Sequence, residues 1–384
     1  MTCYEAASGG HLSTLKYAHE HGCPWNVDTC EEAAKFGHLD VLKYAHEHDC
    51  PWDRDTCSAA AKNGHLDVLR YAHENGCPWG PSTCEAAAEN GHMDVLRYAH
   101  ENDCPWGPST CAAAASVGQL DVLKWLHENQ CPWNEETCEE AAKGGHLDVL
   151  RYAHENGCPC GPSTYVAAVY GCQLDVLQWL HENQCPWNYE AFHSAASHGN
   201  LEILKWLCEK ESPWTEEAFA IAAKYGHLNV LKWGHKNGYD WDEQACSDAA
   251  AGGHLRILEW LHKKEYPWDA RTCSAAAGGG HLDVLRWARA NGCPWDSTTC
   301  AAAARNGSLD ILKWARARGC PWDATTCAAA AAGIGSLDIL KWARAHGCPW
   351  DARTCSEARQ RRNPEYVAWC IENGCPDGSN SNRG

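Results

Sequence analysis

One string of fifteen residues occurs twice in this chain without a change, and near copies of it recur at a fixed spacing. Residues 64–78 and 145–159 both read GHLDVLRYAHENGCP. The cysteine of this element returns every 27 residues from Cys23 to Cys185, the phase continues to Cys320, and one residue is inserted before Cys348. Self-similarity at a fixed period is the signature of a repeat architecture. The sequence therefore predicts one array of about fourteen repeats rather than several unrelated domains.

Each repeat contains the start and stop signals of two short helices. In the sixth repeat, Asn134 can cap a first helix that passes through an Ala-Ala pair and stops at Gly145. A second helix begins near His146, carries apolar residues at helical spacing and ends at Gly157, just before a proline. Helices of about ten residues are too short to be stable alone. Successive helix pairs must therefore stack on one another.

The recurring string resembles the ankyrin repeat. It reads Thr-Cys-x-x-Ala-Ala-x-x-Gly-His-Leu-Asp-Val-Leu and ends in Asn-Gly-Cys-Pro-Trp-Asn/Asp, with cysteine where the family's Thr-Pro-Leu-His box has proline. The repeat is 27 residues long against about 33 in that family, and the missing residues fall where the family's β-hairpin projects. The resemblance implies a hairpin-reduced variant, similar to short arrays of protists and giant viruses.

The fold that this resemblance implies is all-α, an ankyrin-like solenoid of stacked helix-turn-helix repeats. We expect residues 1–377 to form a single array, with a truncated first repeat and a last repeat that acts as a cap, and residues 378–384 to form a disordered tail. The first repeat lacks a capping Asn/Asp, and we expect Ala6, Ala7, Leu12 and Leu15 to be uncovered. Self-association through this N-terminal repeat is one expectation, and a longer parent array is the alternative.

The 26 cysteines are explained most simply by packing, because free cysteine behaves as a small buried hydrophobe. Disulfide formation or thiol redox chemistry is the alternative. Zinc ligands usually come in closely spaced pairs, and the repeat spacing does not provide them, so we expect neither a metal nor a cofactor. The exception is a group of three thiols, Cys158, Cys160 and Cys172. One hypothesis gives this group a metal or redox role, and the other is neutral sequence drift at positions that take small residues.

Histidine and tryptophan occur at fixed places in the repeat. The histidine of the Gly-His pair, as in His65, is expected to cap the second helix and to form a hydrogen bond to a neighbouring repeat. The histidine of the YAHEN string, as in His73, is expected at the solvated edge, where a pH response is conceivable. Loop tryptophans such as Trp79 are expected to wedge between repeats, so that Trp106→Ala should cost about 3 kcal/mol.

Several classes of function are disfavoured. A net charge of -18 argues against binding to a nucleic-acid backbone, and the sequence contains neither a membrane-spanning apolar run nor a leader peptide. Catalysis needs different groups to converge on one point, whereas here each His, Cys and Asp recurs once per repeat. The sequence therefore predicts a cytoplasmic protein that is not an enzyme and that binds neither nucleic acid nor membrane.

The remaining class, which the ankyrin resemblance implies, is a scaffold that binds a protein partner. In that family the contact residues follow the Ala-Ala pair of the first helix, and in this chain those positions vary while the rest of the repeat does not. We expect the partner to contact Phe36, Asn63, Tyr170, His198 and Tyr225. Neutral drift at exposed positions is the alternative for these residues. A structural or self-assembling rod, or a protein that responds to thiols or metals, is the alternative for the chain.

Overall fold

The chain forms pairs of short antiparallel helices throughout the part that the structure describes. The computed structural model describes residues 2–210, 216–239, 244–334, 337–361 and 364–376. Twenty-eight α-helices and no strand occur within these ranges, which confirms the predicted all-α repeat fold. The expected tail, 378–384, lies outside the described residues.

The helices fall into two compact units, Met1–Ala191 and Phe192–Gly384, here called the N-terminal half and the C-terminal half. The N-terminal half contains these helices: α1 (Cys3–Ser8), α2 (Leu12–Glu20), α3 (Val27–Lys35), α4 (Leu39–Glu47), α5 (Arg54–Lys62), α6 (Leu66–Glu74), α7 (Pro81–Glu89), α8 (Met93–Glu101), α9 (Pro108–Ser116), α10 (Leu120–Glu128), α11 (Glu135–Gly144), α12 (Leu147–Glu155), α13 (Pro162–Tyr170) and α14 (Leu174–Glu182). The boundary between the halves falls within α15 (Tyr189–His198).

The C-terminal half continues with the same alternation of first and second helices. Its helices are α16 (Leu201–Glu209), α17 (Glu216–Lys224), α18 (Leu228–Lys236), α19 (Gln244–Ala251), α20 (Leu255–Lys263), α21 (Ala270–Gly279), α22 (Leu282–Ala290), α23 (Ser297–Arg305), α24 (Leu309–Ala317), α25 (Ala324–Ala332), α26 (Leu337–Ala345), α27 (Ala352–Gln360) and α28 (Pro364–Glu372). In both halves the odd-numbered helices are the first helices of the repeats.

Hydrogen bonds at the turns explain why the helices begin and end where they do. Gly64 has φ +73°, and the turn around it places the His65 amide 3.0 Å from the Ala60 carbonyl, a Schellman ending. Asp53 caps α5 by accepting from the Asp55 amide. Asn134 occupies the cap position of α11 but makes no cap hydrogen bond through its side chain. The position of the cap residue was therefore predicted correctly, but the side-chain bond expected of a cap is not formed.

Small residues let consecutive first helices approach closely, while larger residues fill the space between first and second helices. Ala60 and Ala61 are fully buried, as are Val68 and Leu69 of the second helix. Consecutive first helices accordingly lie closer together than consecutive second helices in the N-terminal half. Each repeat thus buries its apolar face only when a neighbour covers it.

The histidine at the start of the second helix connects neighbouring repeats. Its Nε2–H donates to a first-helix carbonyl of the preceding repeat at 2.7–3.2 Å, and it makes no cap bond in its own helix. The pairs are His38–Ser8, His65–Lys35, His92–Lys62, His146–Ser116, His227–Ser197, His254–Lys224 and His281–Ala251. The predicted inter-repeat bond is confirmed, and the predicted cap is wrong because the ring points back to the preceding repeat.

Loop tryptophans join consecutive second helices. Trp106 stacks on His100 at 4.1 Å between ring centroids and meets the edge of Trp125, in the next repeat, at 5.8 Å. The loop tryptophans within the described ranges are half-buried. The predicted wedge is confirmed in position, but each of these indoles keeps part of its surface exposed. The histidines of the YAHEN strings are also half-buried rather than at the solvated edge, since the indole covers one face of the ring.

In most repeats a first-helix cysteine and a loop cysteine lie next to each other. In ten repeats the first-helix thiol and the loop thiol, about twenty residues apart, are hydrogen-bonding neighbours, as in Cys30 and Cys50. The hydrogen bond with Cys30 and burial hold the pKa of the Cys50 thiol far above its usual range. The Cys50 thiol also donates to the Asn26 carbonyl of the preceding loop at 3.4 Å. The packing interpretation thus fits these buried, protonated thiols.

The first repeat is shorter than the others, but it is not open. Helix α1 has six residues where most first helices have nine, as predicted. Thr2 and Glu5 form a reciprocal capping box that the sequence analysis did not anticipate. Ala6, Ala7 and Leu15 are fully buried, because α2 and α3 pack against α1. The expectation that these three residues are uncovered is wrong, and Leu12 is half-buried.

We predict that Trp106→Ala lowers the free energy of unfolding by about 2–3 kcal/mol. The change removes the stack on His100 and the edge contact with Trp125, but the indole is only partly buried. Chemical denaturation of the full chain measures the loss. A loss below about 1 kcal/mol would show that the indole does not join the repeats.

A matched pair of glycine substitutions separates backbone strain from crowding. Gly76 has φ +82°, and a methyl group added there would meet only open space, so Gly76→Ala should cost about 1–2 kcal/mol from strain alone. At Gly64 the added Cβ would lie 2.6 Å from His92 Nδ1, and moving that ring breaks its bond to Lys62. Gly64→Ala should therefore cost about 1 kcal/mol more than Gly76→Ala in denaturant titrations. Equal losses would contradict this role of His92.

Cys172 stands where most repeats have a glycine, and it keeps the left-handed backbone at φ +58°. Replacing it with glycine should raise the free energy of unfolding by about 1 kcal/mol, because only glycine adopts this conformation without strain. Cys172→Ala is the control, since it removes the thiol and keeps the strain. If the two variants are equally stable in denaturant titrations, strain at residue 172 is not the cause.

Candidate protein-binding surface

Exposed apolar side chains concentrate on the first helices. Nine large apolar side chains are exposed among the described residues, and six of them lie on a first helix or at its C-terminal end. The six are Tyr4, Phe36, Val117, Tyr170, Tyr189 and Tyr225. The recurring pattern does not place a large apolar side chain at these positions, so this surface is where the chain differs from repeat to repeat.

The structure places the five predicted contact residues at the C-terminal ends of first helices, where all five are exposed. Phe36, Asn63 and Tyr170 belong to the N-terminal half, and His198 and Tyr225 belong to the C-terminal half. Asn63 and His198 each donate to the carbonyl four residues earlier, at 2.9 and 2.8 Å, which fixes their side chains over the helix end.

Tyr170 lines a groove of about 360 Å³ between α11, α13 and the start of α15. The ring is 58% exposed, and the ammonium of Lys143, one repeat earlier, lies 5.9 Å from its centroid. Glu139, Glu140 and Glu190 also line the groove, and Glu140 pairs with Lys143 at 3.4 Å. The groove therefore combines one aromatic face with an excess of carboxylates.

A larger groove of about 660 Å³ lies between the second helices α4 and α6. Its lining includes Leu66, Asp67, Arg70 and Tyr71, residue types that recur at the same positions in many repeats. The repetition means that this groove does not distinguish one part of the array from another. It is a weaker candidate for specific recognition than the groove beside Tyr170.

The first helices of the two halves differ in their balance of acidic and basic side chains. The seven first helices from α1 to α13 contain eleven acidic and four basic side chains, whereas those from α17 to α27 contain four acidic and five basic. Burial and the nearby Asp55 and Asp28 carboxylates raise the pKa of Glu31. The N-terminal half therefore presents an acidic first-helix surface, a feature that the sequence analysis did not single out.

The thiol trio suggested by the sequence does not come together as predicted. Cys158 pairs with Cys138 and donates to the Asn134 carbonyl at 3.2 Å, while Cys172 is exposed. Cys160 instead lies beside His154 and Cys185. The prediction misassigned the partners because Cys185 is one full repeat beyond Cys158.

No helix in the described ranges combines the length and apolar character that crossing a membrane requires.

Solved structures of other repeat proteins are similar to this chain at low identity. The human ASB11 ankyrin repeat domain is 18% identical, with 41% of this chain and 84% of that chain covered and a TM-score of 0.36. The pentatricopeptide repeat protein PPR10, solved in complex with an 18-nt psaJ RNA element, is 12% identical, with 97% and 69% covered and a TM-score of 0.40. A search of curated protein sequences gave no significant match.

The family model of ankyrin repeats, in three copies, matches residues 164–245. These residues cover most of the seventh repeat, the eighth and ninth repeats and the start of the tenth, and the repeat period continues in both directions along the chain. The helix pairs on either side of the matched segment have the same lengths and the same turns. The matched residues are therefore similar to ankyrin repeats, and the same pattern of short helix pairs continues through the rest of the described chain.

Proposed function

We propose that this chain is a non-enzymatic scaffold that binds a protein partner through the surface formed by its first helices. The observation that carries the proposal is the concentration of exposed apolar side chains on that surface, while the recurring residues are buried between repeats. Aromatic side chains dominate the binding energy of protein interfaces. The contact residues of this proposal are Phe36, Asn63, Tyr170, His198 and Tyr225.

The chemistry of the N-terminal half suggests a basic partner. Its first helices carry nearly three acidic side chains for each basic one, and the groove beside Tyr170 is lined by three glutamates. Lysine or arginine side chains of a partner would pair with these carboxylates and could lie over the Tyr170 ring. We propose that a basic segment binds here.

The partner in this proposal is extended rather than compact at its contact site. Phe36 and Tyr170 lie five repeats apart, and stacked helices are separated by about 10 Å. Their separation within the N-terminal half is therefore on the order of 50 Å. One partner that reaches both residues must run along the first-helix surface, as a long helix or an extended segment would.

The scaffold role also agrees with the structural use of histidine and cysteine, the residue types that an enzyme could use for catalysis. The histidines at the second-helix starts donate to backbone carbonyls, and the buried thiols pair within their repeats. These groups are engaged in packing once per repeat. Ankyrin repeats generally serve as protein-interaction scaffolds, which agrees with the proposal.

Partner recovery from native-host extract tests the proposal. Tyr170→Ala combined with His198→Ala and Tyr225→Ala should reduce recovery at least tenfold, since each removes an exposed contact group without disturbing the buried core. Tyr17→Ala is the matched control, because Tyr17 is 65% exposed on a second helix. Recovery should also fall with added salt, which screens carboxylate pairs at an exposed surface.

Two results would count against the proposal. Unchanged recovery with the triple variant, together with an unchanged circular dichroism spectrum, removes the first-helix surface as the binding site. Concentration-dependent polymers of the wild-type chain in sedimentation experiments, equally present in the triple variant, favour the structural rod instead.

A further inference from the structure

The joint between the sixth and seventh repeats differs from the others in the N-terminal half at two positions, five residues apart in the sequence. Cys160 occupies the place of the loop tryptophan, and Tyr165 occupies the place of the first-helix cysteine. Tyr165 is fully buried, so a large side chain fills the core where a small one usually lies, and a small one replaces the indole. The exchange roughly conserves volume across the joint.

The exchange brings together groups that other repeats keep apart. In five earlier repeats the loop tryptophan covers the histidine of the second helix at 3.7–4.1 Å. In the sixth repeat Cys160 stands in place of that indole, and a ring nitrogen of His154, Cys160 Sγ and Cys185 Sγ all lie within 4.8 Å of one another. Cys185 is buried, and the other two residues are half-buried.

A fourth thiol adjoins this group. Cys138 of α11 is a hydrogen-bonding neighbour of Cys160 as well as of Cys158, so Cys160 lies between the Cys138 and Cys185 thiols. Cys185 has Cys160 as its thiol neighbour because Tyr165 fills the position of its usual partner. The four groups come from α11, α12 and two successive loops.

From this geometry we infer that His154, Cys160 and Cys185 form a binding site for a thiophilic metal ion of the zinc type. Two thiolates and one imidazole are ligands that zinc prefers, and they exclude Mg²⁺ and Ca²⁺, which require oxygen ligands. Water would fill the fourth tetrahedral position. Zinc bonds of about 2.3 Å to sulfur place tetrahedral sulfur ligands about 3.8 Å apart. Shifts of under about 1 Å would bring the donor atoms to that separation.

The surroundings support a thiolate–metal centre. The Tyr165 hydroxyl is buried and has no hydrogen-bond partner, and it lies close enough to Cys185 to interact with it electrostatically. A hydroxyl in this position can donate to a metal-bound thiolate. The edge of Trp179 contacts His154, with 5.4 Å between the ring centroids, and this contact restricts the imidazole orientation.

A metal ion at this site would connect neighbouring repeats, which the loop tryptophan does elsewhere in the chain. Each thiol would lose its proton on binding, and the ion would connect α12, the loop that follows it and the loop of the next repeat. The site lies apart from the groove beside Tyr170 and does not depend on the proposed protein partner. A second thiol cluster, Cys355, Cys370 and Cys375, is fully buried and lacks a histidine, so it must be measured separately.

Zinc binding to the reduced full-length chain tests the inference. With Zn²⁺ alone as the probe and a chromophoric chelator as competitor, Cys160→Ser and His154→Gln should each weaken binding of one equivalent at least tenfold. Cys172→Ala removes an exposed thiol outside the cluster and Cys370→Ala removes the third thiol of the other cluster, so both should retain that equivalent. Tetrahedral Co²⁺–thiolate absorption should be lost in Cys160→Ser and kept in Cys172→Ala.

The inference is overturned if the wild-type chain binds no zinc in competition with the chelator, or if Cys160→Ser binds as much as the wild type. A loss of the same size in Cys172→Ala would also overturn it, because binding would then be spread over unrelated thiols. A fold control comes from circular dichroism of each metal-free variant. Zinc should raise the melting temperature of the wild type and leave that of Cys160→Ser unchanged.

Discussion

The contact between one repeat and the next is the interaction on which the rest of this structure depends. Each helix pair is too short to be stable alone, and its apolar residues are buried only because the neighbouring pair covers them. The histidine bond to the preceding repeat and the loop thiol bond to the preceding loop add directional contacts to this burial. Stability in such an array is a sum over neighbouring interfaces, so every recurring residue is constrained by two repeats at once.

That constraint leaves the ends of the first helices free to vary. The Ala-Ala pair must remain small because the next first helix lies against it, and the following glycine must remain glycine where a histidine ring and a left-handed backbone meet. Residues between these two, such as Phe36 and Asn63, point away from the contact and are exposed. Variation and exposure therefore coincide for a physical reason, which is why they are informative about binding.

Features set by local signals could be predicted from the sequence, whereas features set by side-chain proximity across the repeat could not. Helix bounds follow from glycine, proline and capping residues that lie within a few positions of one another, and the exposed contact positions follow from the same register. The pairing of Cys30 with Cys50 joins residues twenty positions apart, and no spacing rule indicates it. The burial of Ala6 was likewise missed, because it depends on how α2 and α3 close over a short helix.

Among the described repeats, the joint at the loop tryptophan is built in at least three chemically different ways. In most N-terminal repeats a histidine stacks on the indole. In the last repeats Arg289, Arg316 and Arg344 take that place, 4.0–4.2 Å from the indole centroid. Arginine stays charged at all physiological pH values, so that cation–π joint does not change with proton concentration. The sixth repeat has neither arrangement, since Cys160 replaces the indole itself. A joint made of thiols and an imidazole gains its strength only when an ion is bound, so this position would make the cohesion of the N-terminal half depend on metal availability.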